Sequence, residues 1–259
     1  MASHGNRRAT VIAAVGFGVA ELRPDPRHAQ AWTLFVDGVP QSYVDLADPA
    51  HLEFGYLHLL DSVLRLWAPV RVPLSVLHLG GGGLALARLI DHLRPGSRQR
   101  VVERDRPLLD LVTRLLPPPP PVELVTGDAR EQLQLQEPAS YDVIIADVFA
   151  GAWMPDSVAN RGFAEAARRA LRPGGLLAMN VTDVPPMSHT RVQVATLRSV
   201  FADVCVLAGR DVLRGRKAGN AVLAAGDALG DLPERAGAMH GPALNAFSTG
   251  ARPRLIAPD

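Results

Sequence analysis

The chain has 259 residues, 47 % of them apolar and 20 % charged, with a formal net charge of +1. That is enough to bury a real core in one sizeable α/β domain plus a smaller unit, and the near-neutral balance points to neither nucleic acid nor a membrane surface as the main partner. The single cysteine, Cys205, excludes an internal disulfide and a cysteine-built zinc site, so no metal is expected, and no apolar run reaches the ~20 residues of a membrane span.

The chain opens MASHGNRRATVIAAVGFGVAELRP, a basic patch and a short apolar run with no convincing cleavage site. A cytoplasmic protein is expected. Residues 10–46 read as an antiparallel β unit, with Asp37-Gly38 as a two-residue hairpin signal between Trp32–Val36 and Val39–Val44. His51–Trp67 has helical apolar spacing, and Pro69 and Pro73 mark a boundary after it. The domains expected are a hairpin-and-helix unit (1–68), a nucleotide-binding domain (69–229) and a C-terminal tail (230–259).

From Pro73 strands and helices alternate. Strands are predicted at Val76–Leu79, Gln99–Glu103, Val122–Val125, Tyr141–Asp147, Leu176–Val181, Val204–Ala208 and Asn220–Ala225. Helices are predicted at Leu84–Leu93, Pro107–Leu116, a short stretch after Ala129, Ser157–Leu171 and Ser188–Phe201. This is an α/β fold with a Rossmann-like seven-stranded sheet. Pro117–Pro121 reads as a stiff surface connector. The tail from Gly230 is weakly patterned and is expected to lie draped or partly mobile.

Ligands of open α/β sheets bind outside the strand C-termini, and the polar residues here fall at those ends. Four glycines, Gly80–Gly83, follow the first strand and open a helix. A bare turn admits close approach of a ligand, and unpaired N–H groups at the helix start suit a polar or anionic group. Glu103 lies ~20 residues on, the spacing at which a carboxylate accepts from a ribose diol. It otherwise reads as an exposed charge paired with Arg104 or Arg106. Asp128 suits an exocyclic adenine amine, an N-cap for the following helix, or both. Asp147 closes a buried strand at the mouth of the crevice, where a carboxylate is not a packing choice.

The ordered set of glycine loop, ERD (103–105), GDA (127–129), YDVIIAD (141–147) and RPGG (172–175) resembles the class I S-adenosylmethionine-dependent methyltransferase fold. With VDGVPQSYVDLADPAHLEFGY (36–56) ahead of it, the chain looks more narrowly like the spermidine synthase family of polyamine aminopropyltransferases. The resemblance covers about residues 30–225. It implies that Gly80, Gly81 and Gly82 meet the amino-acid end of S-adenosylmethionine or its decarboxylated form. Glu103 would take the ribose, Asp128 and Ala129 the adenine, and Gln41 would lie near the sulfur. It also implies a homodimer.

Three departures bear on the acceptor. The family usually reads GGGDG, with an aspartate holding the amine of the decarboxylated cofactor, where this chain has Gly83. It reads DSSDP after the fourth strand, where this chain has DVFAG, keeping Asp147 but placing Ala150 at the second aspartate. A glutamate of the aromatic segment becomes His58. A cationic polyamine needs several carboxylates, since burying an unpaired ammonium costs several kcal/mol. Methyl transfer to a small acceptor is therefore expected over polyamine synthesis, with Asp147 orienting the acceptor or taking its proton. His51, Glu53, Tyr56, His58 and Asp183 are the residues expected around the acceptor. The rival readings are a true aminopropyltransferase, and a repurposed fold acting as a cyclase, an isomerase or a binding protein.

Overall fold

The computed structural model describes residues 8–120, 122–149, 151 and 153–255. Four strands, β1 (Val11–Val15), β2 (Gly18–Pro24), β3 (Ala31–Val36) and β4 (Val39–Asp45), form an antiparallel meander. At the β3–β4 turn Asp37 and Gly38 both take positive φ, 48° and 76°. Two successive left-handed residues give the turn whose twist matches that of the flanking strands. The inner face of the meander, Ala20, Leu22, Leu34 and Val44, packs on Leu84, Ala87, Leu108 and Val112.

The helix expected from His51 begins at Gly55 and runs to Trp67 as α1. Residues 48–51 form a turn instead, in which Asp48 accepts from the N–H groups of Ala50 and His51. α1 buries Leu57, Leu60, Val63 and Leu64 against residues of the large sheet such as Val143 and Ile145.

The large sheet comprises β5 (Ser75–Leu79), β6 (Arg98–Glu103), β7 (Val122–Thr126), β8 (Tyr141–Ala146), β9 (Leu171–Asp183), β10 (Asp203–Ala208) and β11 (Gly219–Gly226). Its order is β10-β11-β9-β8-β5-β6-β7. β11 is antiparallel to both of its neighbours, and β7, β6, β5, β8 and β9 run parallel. The parallel strands are covered on both faces, which is why VIIA in β8 is uniformly apolar. The helices are α2 (Ala85–Leu93), α3 (Arg106–Leu115), α4 (Ala129–Gln134), α5 (Arg161–Ala170), α6 (Ser188–Arg198) and α7 (Arg210–Leu213). The sheet is wound in opposite directions from β5, so a crevice opens between the ends of β5 and β8, where such folds take ligands.

Two expectations change in detail. α5 starts at Arg161, not Ser157, because Asn160 caps it by accepting from Phe163 N–H at 3.0 Å. RPGG does not separate helix from strand. It lies within β9 as an exposed irregularity, with Gly174 at φ 76° and the register shifting opposite Tyr141–Val143. The tail is also more ordered than its pattern suggests. α8 (Leu232–Arg235) and α9 (Gly241–Phe247) bury Leu232, Leu244 and Phe247, and Met239 bridges to Val206 of β10. In the proline run, Arg88 donates to the carbonyls of Leu116 and Pro117, and Pro121 lies outside the described residues.

Candidate active site

A cavity of about 730 Å³ opens beyond the ends of β5, β6, β8 and β9, beneath the β3–β4 hairpin and the start of α1. Its floor is the glycine loop. Gly80 takes φ 95°, and a Cβ there would overlap the carbonyl oxygen of Asp147, so only glycine lets the ends of β5 and β8 lie together. Gly81 and Gly82 donate their N–H groups to Glu103 Oε2 at 3.0 and 3.2 Å, and Asp105 N–H donates to Oε1 at 3.0 Å. Glu103 is thus tied to the loop rather than paired with Arg104 or Arg106. A carboxylate offers about four acceptor positions, so Glu103 keeps capacity for a hydroxyl in the cavity.

Asp128 caps α4, accepting from Arg130 and Glu131 N–H at 2.9 and 3.1 Å. Both bonds fall on Oδ1, which leaves Oδ2 without a protein partner among the described residues. Asp105, not singled out from the sequence, caps α3 through Leu108 N–H at 3.0 Å. It also accepts from Gly16 and Phe17 N–H at 2.9 and 3.0 Å. That double role pins the β1–β2 turn over the large domain and brings Phe17 to the cavity wall, with the Arg104 guanidinium 3.7 Å from its ring centre.

At the other end of the cavity, Asp147 has both oxygens engaged. Tyr56 donates to Oδ2 at 3.0 Å and Asn180 donates to Oδ1 at 2.8 Å. Asn220 donates to Asn180 Oδ1 at 3.0 Å, so the Asn180 amide has its oxygen engaged by Asn220 and its NH₂ by Asp147. Burial pushes the Asp147 carboxyl above its ordinary range, and the Asn180 and Tyr56 hydrogen bonds partly offset that. Burial, and then the neighbouring Asp147 charge, push the Tyr56 hydroxyl upward, so Tyr56 stays a protonated donor. Beneath the loop, His78 sits buried on β5, 2.9 Å from Gln99 Oε1, and burial lowers it to about 4. It is neutral at physiological pH.

Gly80, Gly81, Gly82, Glu103, Asp128, Ala129, Asp147, Tyr56, Gln41 and Glu53 all border this one cavity. Three residues expected around the acceptor do not. His51 is drawn away by Asp45, 3.4 Å from Oδ2, and meets the rings of His28 and Tyr43 edge-on. His58 lies on the exposed side of α1, since the buried face runs through Leu57, Leu60 and Leu64. Asp183 is buried at the end of β9 and accepts from Thr190 N–H and Oγ1 at 2.7 and 2.8 Å, fastening the first turn of α6. Ala150 lies outside the described residues. Asn180, a polar residue at a strand end, and Asn220, Ser42 and Phe17 carry no motif that marks them in the sequence. The one available signal was a polar residue inside an otherwise apolar strand.

The mixed seven-stranded sheet with its crevice at the β5/β8 switch defines a methyltransferase-type α/β protein. The human methyltransferase-like protein 13, solved with SAH, shares that fold at 19 % identity, with a TM-score of 0.56 over 77 % of this chain and 94 % of that one. A spermidine synthase solved in complex with the transition-state analogue AdoDATO aligns at 18 % identity over 86 % of this chain and 74 % of its own, with a TM-score of 0.62. A probable spermidine synthase from Corynebacterium glutamicum ATCC 13032 aligns at 30 % identity over 97 % of this chain and 98 % of its own, with a TM-score of 0.89. The polyamine aminopropyltransferase of Vibrio vulnificus (strain CMCP6) is 27 % identical over 135 residues, which span 51 % of this chain and 44 % of that enzyme. No protein-family model matches. The chain belongs to the spermidine synthase-like family.

Proposed function

We propose that the cavity takes S-adenosylmethionine and directs transfer of its methyl group to a small acceptor. The observation that carries this reading is the sharing of one cavity by the bare glycine loop, the spare acceptor positions of Glu103 and Asp128, and the Asp147–Tyr56–Asn180 cluster. The donor set fits an adenosyl group. Glu103 offers a carboxylate to vicinal hydroxyls, Asp128 Oδ2 offers an acceptor to an exocyclic amine, and Gly80–Gly82 leave room for a chain against the backbone. That two relatives of this fold were solved with SAH and with AdoDATO supports the choice of ligand class.

When bound, S-adenosylmethionine supplies an electrophilic carbon on a sulfonium, and the protein's part is to align the acceptor and exclude water. Tyr56 and Asn180 hold the Asp147 carboxylate in one orientation, and its raised affinity for a proton suits it to take one from an acceptor N–H or O–H. Methyl is preferred over aminopropyl because the acceptor end is poor in free carboxylates. Asp147 is fully engaged, and Glu53, exposed at the rim, is the one further acid there among the described residues. A polycation would be left underpaired.

Isothermal titration with S-adenosylmethionine and with its decarboxylated form tests the reading. Tighter binding of S-adenosylmethionine is expected. Tighter binding of the decarboxylated form, with spermidine produced from putrescine, would turn the proposal to aminopropyl transfer.

A further inference from the structure

The charge around the Asp147 end of the cavity has the wrong sign for a polycation. β11 runs antiparallel to β9, so its first residues lie at the carboxyl end of β9, where Gly219 pairs with Asp183 and Asn220 with Thr182. Asn220 and Thr182 both border the cavity, and Asn220 reaches Asp147 through one intervening side chain, Asn180. The link from β10 into β11, residues 209–218, therefore stands at this end of the sheet. It reads GRDVLRGRKA, with four cations, Arg210, Arg214, Arg216 and Lys217, and one acid, Asp211.

All four cations are exposed. Among the described residues nine arginines elsewhere pair with a carboxylate, and none of these four cations does. The loop that carries them is held in place. Leu213, Arg214 and Arg216 donate their N–H groups to the carbonyls of Gly209, Arg210 and Asp211 at 3.0, 3.1 and 2.9 Å, and Val212 is buried beneath. Three residues of chain span at most about 11 Å, so Lys217 is attached within roughly one Debye length of Asn220. The nearby acids that would offset this charge are already committed. Asp147 accepts from Tyr56 and Asn180, Asp183 accepts from Thr190 and from Val184 N–H, and Asp156 pairs with Arg254. Glu53 and Asp211 are left against four cations, so the mouth is net positive. Inside it the Thr182 hydroxyl accepts from Asn220 at 3.4 Å and donates to no described residue, which leaves its proton for a ligand.

We infer that the acceptor carries a negative charge, a carboxylate or a phosphate, which Arg214, Arg216 and Lys217 receive at the mouth while its reacting atom faces Asp147. The inference rests on the transfer reading above and names the charge class of its acceptor. A guanidinium fork matches either anionic group. Cations gathered at the mouth of a cleft concentrate anions there and slow the entry of a polyamine.

Probes matched in shape and opposite in charge test this: glutarate against putrescine, and 4-hydroxyphenylacetate against tyramine, with inorganic phosphate as a further anion. Each is titrated calorimetrically into protein saturated with S-adenosylhomocysteine, at about 50 mM salt, where exposed charges are little screened. Each carboxylate is expected to bind about tenfold more tightly than its cationic partner, the combined worth of a few exposed charge pairs. Phosphate binding more tightly than glutarate would assign the mouth to a phosphorylated acceptor, and the reverse order to a carboxylate. The triple variant Arg214→Gln/Arg216→Gln/Lys217→Gln should lose about tenfold for the anions, while its affinity for S-adenosylhomocysteine, read in the same titrations, stays within about twofold and reports an intact fold. A cation bound as tightly as its anionic partner, no anion bound below about 10 mM, or a preference that survives the triple variant would overturn the inference while adenosyl binding stood. Failure of the wild-type protein to take up S-adenosylhomocysteine would remove the transfer reading, and the same titrations on the unloaded protein would still decide the charge that the mouth accepts.

Discussion

The two ends of the cavity are built in different ways. At the glycine-loop end each carboxylate is held by backbone N–H groups close to a strand end: Glu103 by Gly81, Gly82 and Asp105, and Asp128 by the first turn of α4. At the other end Asp147 is held by side chains, Tyr56 and Asn180, which stand 91 and 33 residues away in the chain. Backbone donors position a carboxylate and leave it little freedom to change. Side-chain donors can be altered one at a time, and each adjusts the proton affinity of the group it holds. Main chain holds the carboxylates at one end, and side chains hold the carboxylate at the other.

That contrast breaks most sharply at Asp147. Asp147→Asn should lower kcat/KM about 10³-fold with whichever small acceptor the wild-type protein uses, the worth of a positioned proton acceptor. Its affinity for S-adenosylhomocysteine should stay within about threefold by calorimetry. A matching loss of affinity would erase the division between the two ends.

The glycine-loop end carries a second, pH-dependent liability in His78. Its folded value of about 4 lies below the ordinary 6.5, so the stability tied to its neutral form is complete above pH 6.5 and is lost as pH falls toward 4. Urea unfolding at pH 7 and pH 4 should show the wild-type protein losing about 3 kcal/mol more than His78→Gln. Equal losses would show that His78 is not the buried neutral group described.

Glu103→Gln replaces an acceptor facing N–H groups with a side chain that has one acceptor and two donors. S-adenosylhomocysteine should bind about 30-fold more weakly, roughly 2 kcal/mol, with kcat at saturating cofactor little changed. The smallest effect belongs to Tyr56→Phe. Removing its donor to Asp147 Oδ2 lets burial raise the carboxyl further, so the acid limb of the pH–rate profile should move upward while kcat falls about tenfold. An unmoved acid limb would mean that Tyr56 does not tune Asp147.

The same division governs what was legible beforehand. Asp37-Gly38, the glycine loop and its Glu103 partner are short-range patterns, in which a required φ or a strand-to-strand spacing dictates the residue. Asp128 as a helix cap is equally local. The cluster of Tyr56, Asp147, Asn180 and Asn220 has no such signature, because it forms only when the winding of the sheet sets β8, β9 and β11 side by side and α1 over their ends. His51 and His58 sit near Tyr56 in sequence, yet the late start of α1 and its rotation turn one toward Asp45 and the other to solvent. Asp183 lies one strand position beyond the site, where its hydrogen bonds to Thr190 consume it. Ser42 and Gly83 are far apart in sequence and meet only because β4 lies over the start of α2.

A crystal structure grown with S-adenosylhomocysteine tests the central claim most directly. The account predicts the ribose hydroxyls at Glu103, the adenine amine at Asp128 and the sulfur facing the Asp147 end of the cavity. Density for the ligand elsewhere, or none at saturating concentration, would contradict it.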